Sequence, residues 1–313
     1  MRSRPRHRVP DGLFERASGG GVRARVPLRE LTPDDPEFPE GVRTMPRAPS
    51  RLWVAGRDLR TLGSMVAVIG ARRATRYGLS MAAGLAGDLA AGGVCVVSGL
   101  ARGCDSAAHD GALERGGTTV AVLGSGADVC YPAGSRVLYS EILAAGAVVS
   151  ARPPGYRPFK SDFVYRNSIM VAMSEAVVVV QGTTDSAAVR TGEDAAGAGH
   201  GSVFAVPGSV EWPESAGVHK LLKLGATVCT SASDIVEPLQ DRLRWTPPEL
   251  QPVPRHLPEP QRRILEALAG GAAGREEVVA ASALEAAAAS RAIAELEMAG
   301  LIVEEGFFLR RTR

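Results

Sequence analysis

Seven short apolar runs constrain the fold of this chain more than any other feature. They lie at 65–69 (MVAVI), 94–97 (VCVV), 118–123 (TTVAVL), 147–149 (AVV), 176–180 (AVVVV), 202–206 (SVFAV) and 226–229 (ATVC). Each has the length of a strand and is apolar almost throughout, without the polar alternation of a half-exposed sheet. Between most of them lie Ala- and Leu-rich segments of helix length, such as 78–91 and 105–115. Continuous apolar strands separated by helices predict a mostly parallel sheet covered on both faces, a doubly wound α/β domain.

The flanks read differently. Residues 1–30 are rich in Arg, Gly and Pro, with eight Arg against three acids, and read as a flexible basic arm. Residues 31–64 are punctuated by proline, with a short strand expected at Leu52–Ala55, and lead into the α/β region, which is taken as 31–240. Residues 241–257 (DRLRWTPPELQPVPRHL) are Pro-rich without periodicity and read as a linker. In 258–313, helices are expected at Pro260–Leu268, Arg275–Ala281 and Leu284–Ala299, followed by a hairpin turning at Glu305-Gly306. Three helices and a hairpin in so short a span form the winged-helix pattern.

Composition narrows the function. No apolar run approaches the roughly 18 residues that cross a bilayer, and no apolar stretch follows the basic N-terminus as in a secretory signal. The four cysteines, Cys95, Cys104, Cys130 and Cys229, form no CxxC pair. They read as small buried residues, and a reducing cytoplasm, with no metal site and no cofactor, is expected. Residues 66–240 carry ten Arg and three Lys against fifteen acids, and 246–313 carry eight Arg against ten acids. A nucleic acid would therefore be held by a local constellation rather than by a general positive field.

That constellation lies where ligands of open parallel sheets bind, beyond the C-terminal ends of the strands. The first run opens into Gly70-Ala71-Arg72-Arg73-Ala74-Thr75-Arg76, and the second into Ser98-Gly99-Leu100-Ala101-Arg102-Gly103. The third opens into Gly124-Ser125-Gly126, the fifth into Gly182-Thr183-Thr184-Asp185-Ser186, and the sixth into Pro207-Gly208-Ser209. Glycine lets backbone approach a ligand, and helix N-termini aim N–H donors at anions. With Arg72, Arg73, Arg76 and Arg102 on two of these turns, the pattern predicts a phosphate-binding rim. No turn reads GxGxxG and none reads GxxxxGK[ST], which disfavours a dinucleotide site and a P-loop.

The segments VIGARRATRYG (68–78), SGLARGCDSAAHDGAL (98–113), AVLGSGADVCYP (121–132), FVYRNSIMVAMSEAVVVVQG (163–182), VFAVPGS (203–209) and GVHKLLKLGA (217–226) resemble the DprA/Smf family of DNA-processing proteins. The resemblance implies an extended Rossmann-like fold that binds single-stranded DNA and loads the RecA recombinase during natural transformation, acting as a homodimer. It places the DNA pocket at Arg72, at Arg102 in the SGLARG turn, and at Lys160, Phe163, Arg166 and Asn167. The candidate DNA-binding set is completed by Arg73, Ser98, Gly99, Gly103, Gly124, Gly126, Ser186 and Thr191. The chain departs from the family in three places. Its first turn is Gly-Ala-Arg rather than Gly-Ser-Arg. Ser150-Ala151 stands for the usual Ser-Glu. Asp185-Ser186-Ala187-Ala188-Val189-Arg190-Thr191-Gly192 replaces the usual Ser-Gly-Ser-Leu-x-Thr-Ala stretch. The helical domain that many members carry at the N-terminus is expected to be missing here, either from the protein or through a late start codon.

The residues agree with a single-strand binder, which combines cations along the phosphates with an aromatic face for a base. Phe163 is either that face or a core residue capping the sheet, and Lys160 either a phosphate contact or a solvated loop charge. Asn167 and His109 read as loop braces, Asp105 as a helix N-cap and Cys104 as packing. Two other classes stay open: a nucleoside-monophosphate glycosidase, for which Glu193 could be the acid although its spacing is wrong and no PGGxGT occurs, and a nucleotide sensor. In the winged helix, the expected recognition helix carries Glu285, Glu295 and Glu297 against Arg291, which favours a partner-contact or structural role over reading duplex DNA.

Overall fold

The computed structural model describes residues 9–10, 12–16, 22–197, 202–246, 257–268, 273–305 and 308–311. The chain divides into a large unit that runs to residue 247 and a small one from residue 248.

In the large unit the strands and helices follow in the order β1 (Phe14–Arg16), β2 (Val22–Ala24), β3 (Arg29–Leu31), α1 (Glu40–Thr44), β4 (Leu52–Gly56), β5 (Met65–Ile69), α2 (Arg76–Ala91), β6 (Cys95–Ser98), α3 (Cys104–Glu114), β7 (Thr119–Leu123) and β8 (Val129–Cys130). They continue with α4 (Arg136–Ala145), β9 (Ala147–Ser150), α5 (Lys160–Ala172), β10 (Ala176–Val179), α6 (Ala187–Gly197), β11 (Val203–Ala205), α7 (Ala216–Lys223), β12 (Thr227–Val228) and α8 (Ala232–Val236). The main sheet has the order β12-β11-β10-β5-β6-β7-β9-β4-β3. From β12 to β9 every pairing is parallel, while β4 and β3 close one edge antiparallel. This is the doubly wound, Rossmann-like arrangement expected from the apolar runs.

The runs are continuous because each strand is buried on both sides. All five residues of β5 are buried, Val66 and Val68 against α2, α3 and α8, Ala67 and Ile69 in the layer with α5, α6 and α7. The four cysteines are free and buried, and burial pushes each thiol up to about 12. No helix among the described residues is long and apolar enough to cross a membrane.

Two segments differ from expectation. Within the expected arm, β1 and β2 pair with each other and with β8 as a three-stranded sheet. Phe14 packs edge-on against Tyr139, with centroids 5.7 Å apart, and Arg23 forms an ion pair with the buried Asp128. Backbone pairing, isolated apolar residues and two charge pairs, Arg23–Asp128 and Arg25–Glu15, hold this segment, and none of them produces a periodic pattern. The expected linker, in turn, begins with residues that pack on the large unit. Leu243 is buried in the core, Trp245 Nε1 donates to Asp88 O at 3.1 Å, and Thr246 N donates to Gly92 O at 3.0 Å.

The small unit contains α9 (Glu259–Ala267), β13 (Ala273–Gly274), α10 (Arg275–Ser282), α11 (Ala286–Met298), β14 (Ile302–Glu305) and β15 (Phe308–Arg311). β14 and β15 form the antiparallel wing, and β13 adds to β15. Gly306 of the expected turn lies outside the described residues. Ile264, Leu265, Val278, Ile293, Leu296 and Leu309 give this unit its own core.

Candidate nucleic-acid interface

The C-terminal ends of β5, β6 and β7 lie side by side, and their turns are braced from below. Thr75 caps α2 by accepting from Gly78 N at 3.3 Å. Gln181, buried beyond β10, receives the Thr75 N–H at 2.9 Å and donates to Thr75 Oγ1 at 2.9 Å. Sequence reasoning missed Gln181, because only strand pairing brings it to a residue 106 positions away.

The β6 turn rests against the β5 turn. Gly103, at φ +84°, starts α3, and a Cβ there would fall 2.2 Å from Ala71 O, so only glycine allows this approach. Cys104 N donates to Ala71 O at 3.1 Å. Burial raises the pKa of Asp105, and the backbone of Ala101 and Gly70 opposes that effect. Leu100, held at φ +56°, donates its N–H to His109 Nε2 at 3.3 Å. His109 Nδ1 lies 2.7 Å from Thr119 Oγ1, whose own proton goes to Val96 O. The imidazole is therefore neutral with its proton on Nδ1, and burial pushes its pKa down to about 3.

On these fixed turns Arg72, Arg73 and Arg102 are exposed. Helix α5 adds Lys160, exposed at its first residue, and the half-buried Phe163. Arg72 Cζ stands 5.4 Å from the Phe163 ring centroid. Tyr131, 51% exposed, lies on the same ring at 5.7 Å with a tilt of 39°. Gly124 lets α5 come close, since a Cβ there would lie 3.2 Å from Phe163 Cδ1 and 3.3 Å from the Asp162 backbone. Arg72, Arg73, Arg102 and Lys160 pair with no carboxylate among the described residues, so their charge is available to a ligand. Phe159, 70% exposed beside Lys160, adds an apolar face that the sequence did not single out.

The remaining candidates face inward. Arg166 is buried, donates from Nη1 to Val122 O at 3.0 Å, and sits under Gly99; burial lowers its pKa. Ser98 is buried and donates to Val68 O at 2.7 Å. Asn167 donates to Thr191 Oγ1 at 2.9 Å, and Thr191 donates to Ala187 O at 2.8 Å, joining α5 to α6. Ser186 accepts from Val189 N at 3.2 Å and caps α6. Gly126 is buried and donates to Tyr156 O at 2.9 Å. Glu193 is held in an ion pair with Lys220. No group of His, Cys, Asp and Glu among the described residues has the arrangement to hold a metal ion.

Comparison with known proteins matches the chain to a family. Residues 29–240 match the family model described as DNA recombination-mediator protein A, and residues 247–306 match the DprA winged helix domain. The putative DNA processing protein DprA of Mycobacterium tuberculosis (strain ATCC 25618 / H37Rv) is 40% identical over 289 residues, 87% of this chain and 74% of that one. DprA of Bacillus subtilis (strain 168) is 33% identical over 214 residues, 68% of this chain and 72% of that one. The X-ray structure of DprA from Streptococcus pneumoniae is similar at a TM-score of 0.63 and 34% identity, covering 68% of this chain and 74% of that one. DprA from Helicobacter pylori, described for its unique single-stranded DNA binding mode, is similar at a TM-score of 0.63 and 26% identity, covering 70% and 98%.

Proposed function

The chain belongs to the DNA recombination-mediator protein A family, and on that premise we propose that it binds single-stranded DNA without sequence preference along the rim of β5, β6 and β7. The observation that carries this reading is Arg72 over the Phe163 ring at 5.4 Å. A cation for the phosphate and a π-face for the base stand together, which is what non-specific single-strand binding needs. Arg73 and Arg102, exposed on the same turns, and Lys160, exposed at the start of α5, add cations for the strand. The single-stranded DNA named for the H. pylori relative supports the same ligand.

In this reading the protein is a binding protein without catalysis. It works in the cytoplasm as a homodimer and hands the strand to a RecA-type recombinase during DNA uptake and recombination. The winged helix serves a partner-contact or structural role rather than duplex reading. The exposed face of α11 presents Ala286, Ala287, Ser290, Arg291, Ala294 and Glu295, and a major-groove helix needs more basic and amide side chains than that.

The test is oligo-dT binding across chain length and salt, with Arg72→Ala and Lys160→Ala alongside. Each variant is expected to lower the steepness of log affinity against log salt by ~0.7, the value for one single-strand phosphate contact. Unchanged slopes in both folded variants remove these residues from the interface. Release of free base from nucleoside monophosphates returns the reading to an enzyme.

A further inference from the structure

Across α5 from this rim lies a pocket that neither the family resemblance nor the proposed reading uses. It measures 340 Å³, and its walls include Arg47, Arg51, Trp53, Ala151, Arg152 and Tyr165. That volume suits a ligand of nucleotide size. The pocket forms where β9 ends and β4, its antiparallel neighbour, begins, so it opens at the same end of the sheet as the rim.

Its chemistry is cationic and aromatic. Arg152 lies between the rings of Tyr156 and Tyr165, 5.4 Å from each centroid, and Nη2 reaches Asp162 Oδ1 at 2.5 Å. Its Nε is buried and donates to no protein acceptor among the described residues. Arg51 pairs with Glu30 at 2.5 Å. Arg47 has no carboxylate partner among the described residues, so the group keeps a net positive charge. Arg47 also holds a left-handed backbone, φ +61°, and its carbonyl accepts from Tyr165 OH at 2.9 Å. Ala151, also in the wall, adds no carboxylate to oppose an anion.

We propose that this pocket is a nucleotide subsite, with the phosphate on Arg47, Arg51 and Arg152 and the base against the aromatic wall. Phe163 and Tyr165 are two residues apart on α5, hence ~3 Å apart along its axis and on opposite sides of a helix ~10 Å across. A strand lying over Phe163 therefore reaches the pocket within a few nucleotides. This assignment rests on the single-strand reading, because the expected occupant is a nucleotide of the same strand; a free nucleotide offers the same chemistry.

The experiment compares the full chain with an Arg47→Asn/Arg51→Gln variant, asparagine being tolerated in the left-handed region. Melting curves confirm the fold, and the ligands are dT6, dT15 and dTMP. If the pocket takes the strand, the variant binds dT15 about three- to tenfold more weakly than the parent and loses ~0.7 of salt slope per lost contact, and dT6, long enough to span from Phe163 to the pocket, is weakened in the same direction. If the pocket takes free nucleotide, dialysis shows dTMP bound to the parent and not to the variant, with dT15 unaffected. A folded variant that matches the parent on dT15, on salt slope and on dTMP overturns the subsite. A parent that binds no oligo-dT at low salt overturns the single-strand reading instead, and the dTMP comparison then decides the pocket alone.

Discussion

Arg166 occupies the space that a side chain on Gly99 would need: a Cβ at residue 99 would lie 1.4 Å from Arg166 Nη1. The β6 turn is therefore shaped around a buried guanidinium, which also donates to Val122 O on β7. Asp105 gains from the same charge, since Arg166 opposes the effect of burial on its carboxyl.

It follows that Arg166→Ala acts on stability before it acts on DNA. Removing the buried guanidinium leaves Val122 O without its donor and takes away the charge that opposes burial of Asp105, and Tm is expected to fall by several degrees. At low temperature the salt slope for oligo-dT should match the parent. A variant that melts like the parent but loses ~0.7 of slope shows instead that Arg166 reaches a phosphate. Gly99→Ala should destabilise as well, because the colliding atoms belong to a buried, hydrogen-bonded group.

The buried imidazole gives the fold a dependence on acid. His109 has a folded pKa of about 3, below the ordinary value of 6.5, so the unfolded chain takes up the proton first. This contribution is intact above pH 6.5 and declines as pH falls toward 3, at roughly 1.4 kcal/mol per pH unit through the middle of that window. His109→Gln, whose amide oxygen is able to accept the Leu100 N–H, should be less stable than the parent at pH 7 but flatter in acid. Denaturant unfolding of both proteins from pH 7 to pH 4 checks it: parallel curves rule out His109 as the source.

Truncation should separate the two units only if the cut respects Trp245. Ending the chain after residue 247 is expected to leave the large unit melting as in the parent, with oligo-dT affinity reduced less than about tenfold. Ending it after residue 240 removes the buried Leu243 and the Trp245 that covers Gly92 and Asp88. At ~1.5–3 kcal/mol per buried large side chain, that cut should lower Tm by several degrees. Equal melting of the two truncations shows that 241–246 adds nothing.

The contrast between these residues explains what the sequence made legible. The parallel core was readable because burial on both faces leaves uninterrupted runs such as Val177–Val180. Arg72 and Arg102, both exposed, were placed on the strand-end turns by the glycine pattern, and Phe163 was pointed to by the resemblance. Neither source distinguishes a guanidinium aimed outward from one aimed inward: Arg72 and Arg166 are the same residue type, and only the packing of α5 on β6 and β7 separates them. Gln181, Tyr131 and the Arg47–Arg152 pocket depend on contacts between distant segments, which leave no local pattern. The β1–β2 hairpin was hidden because backbone pairing with β8, a charge pair and a few isolated apolar contacts hold it, and none of these leaves a periodic pattern.

The most specific consequence concerns Arg72 and Phe163 as a pair. Phe163→Ala is expected to cost ~1–3 kcal/mol of oligo-dT binding if the ring stacks on a base, with a smaller loss of salt slope than Arg72→Ala, because stacking carries no charge and only the positioning of Arg72 is affected. Arg72→Ala should lower affinity mainly through the slope. The two losses should not add. With the guanidinium resting 5.4 Å over the ring, removing the ring also frees Arg72 from the position in which it meets the phosphate. The double variant should therefore bind more tightly than the sum of the single losses predicts, by ~0.5–3 kcal/mol. Arg72→Lys should keep most of the slope but lose part of the coupling, since a compact ammonium lacks the flat face that lies on the ring. Phe163→Trp should retain both the affinity and the coupling. Strict additivity in the cycle, measured at one salt concentration on folded proteins, means that cation and ring act on separate parts of the strand.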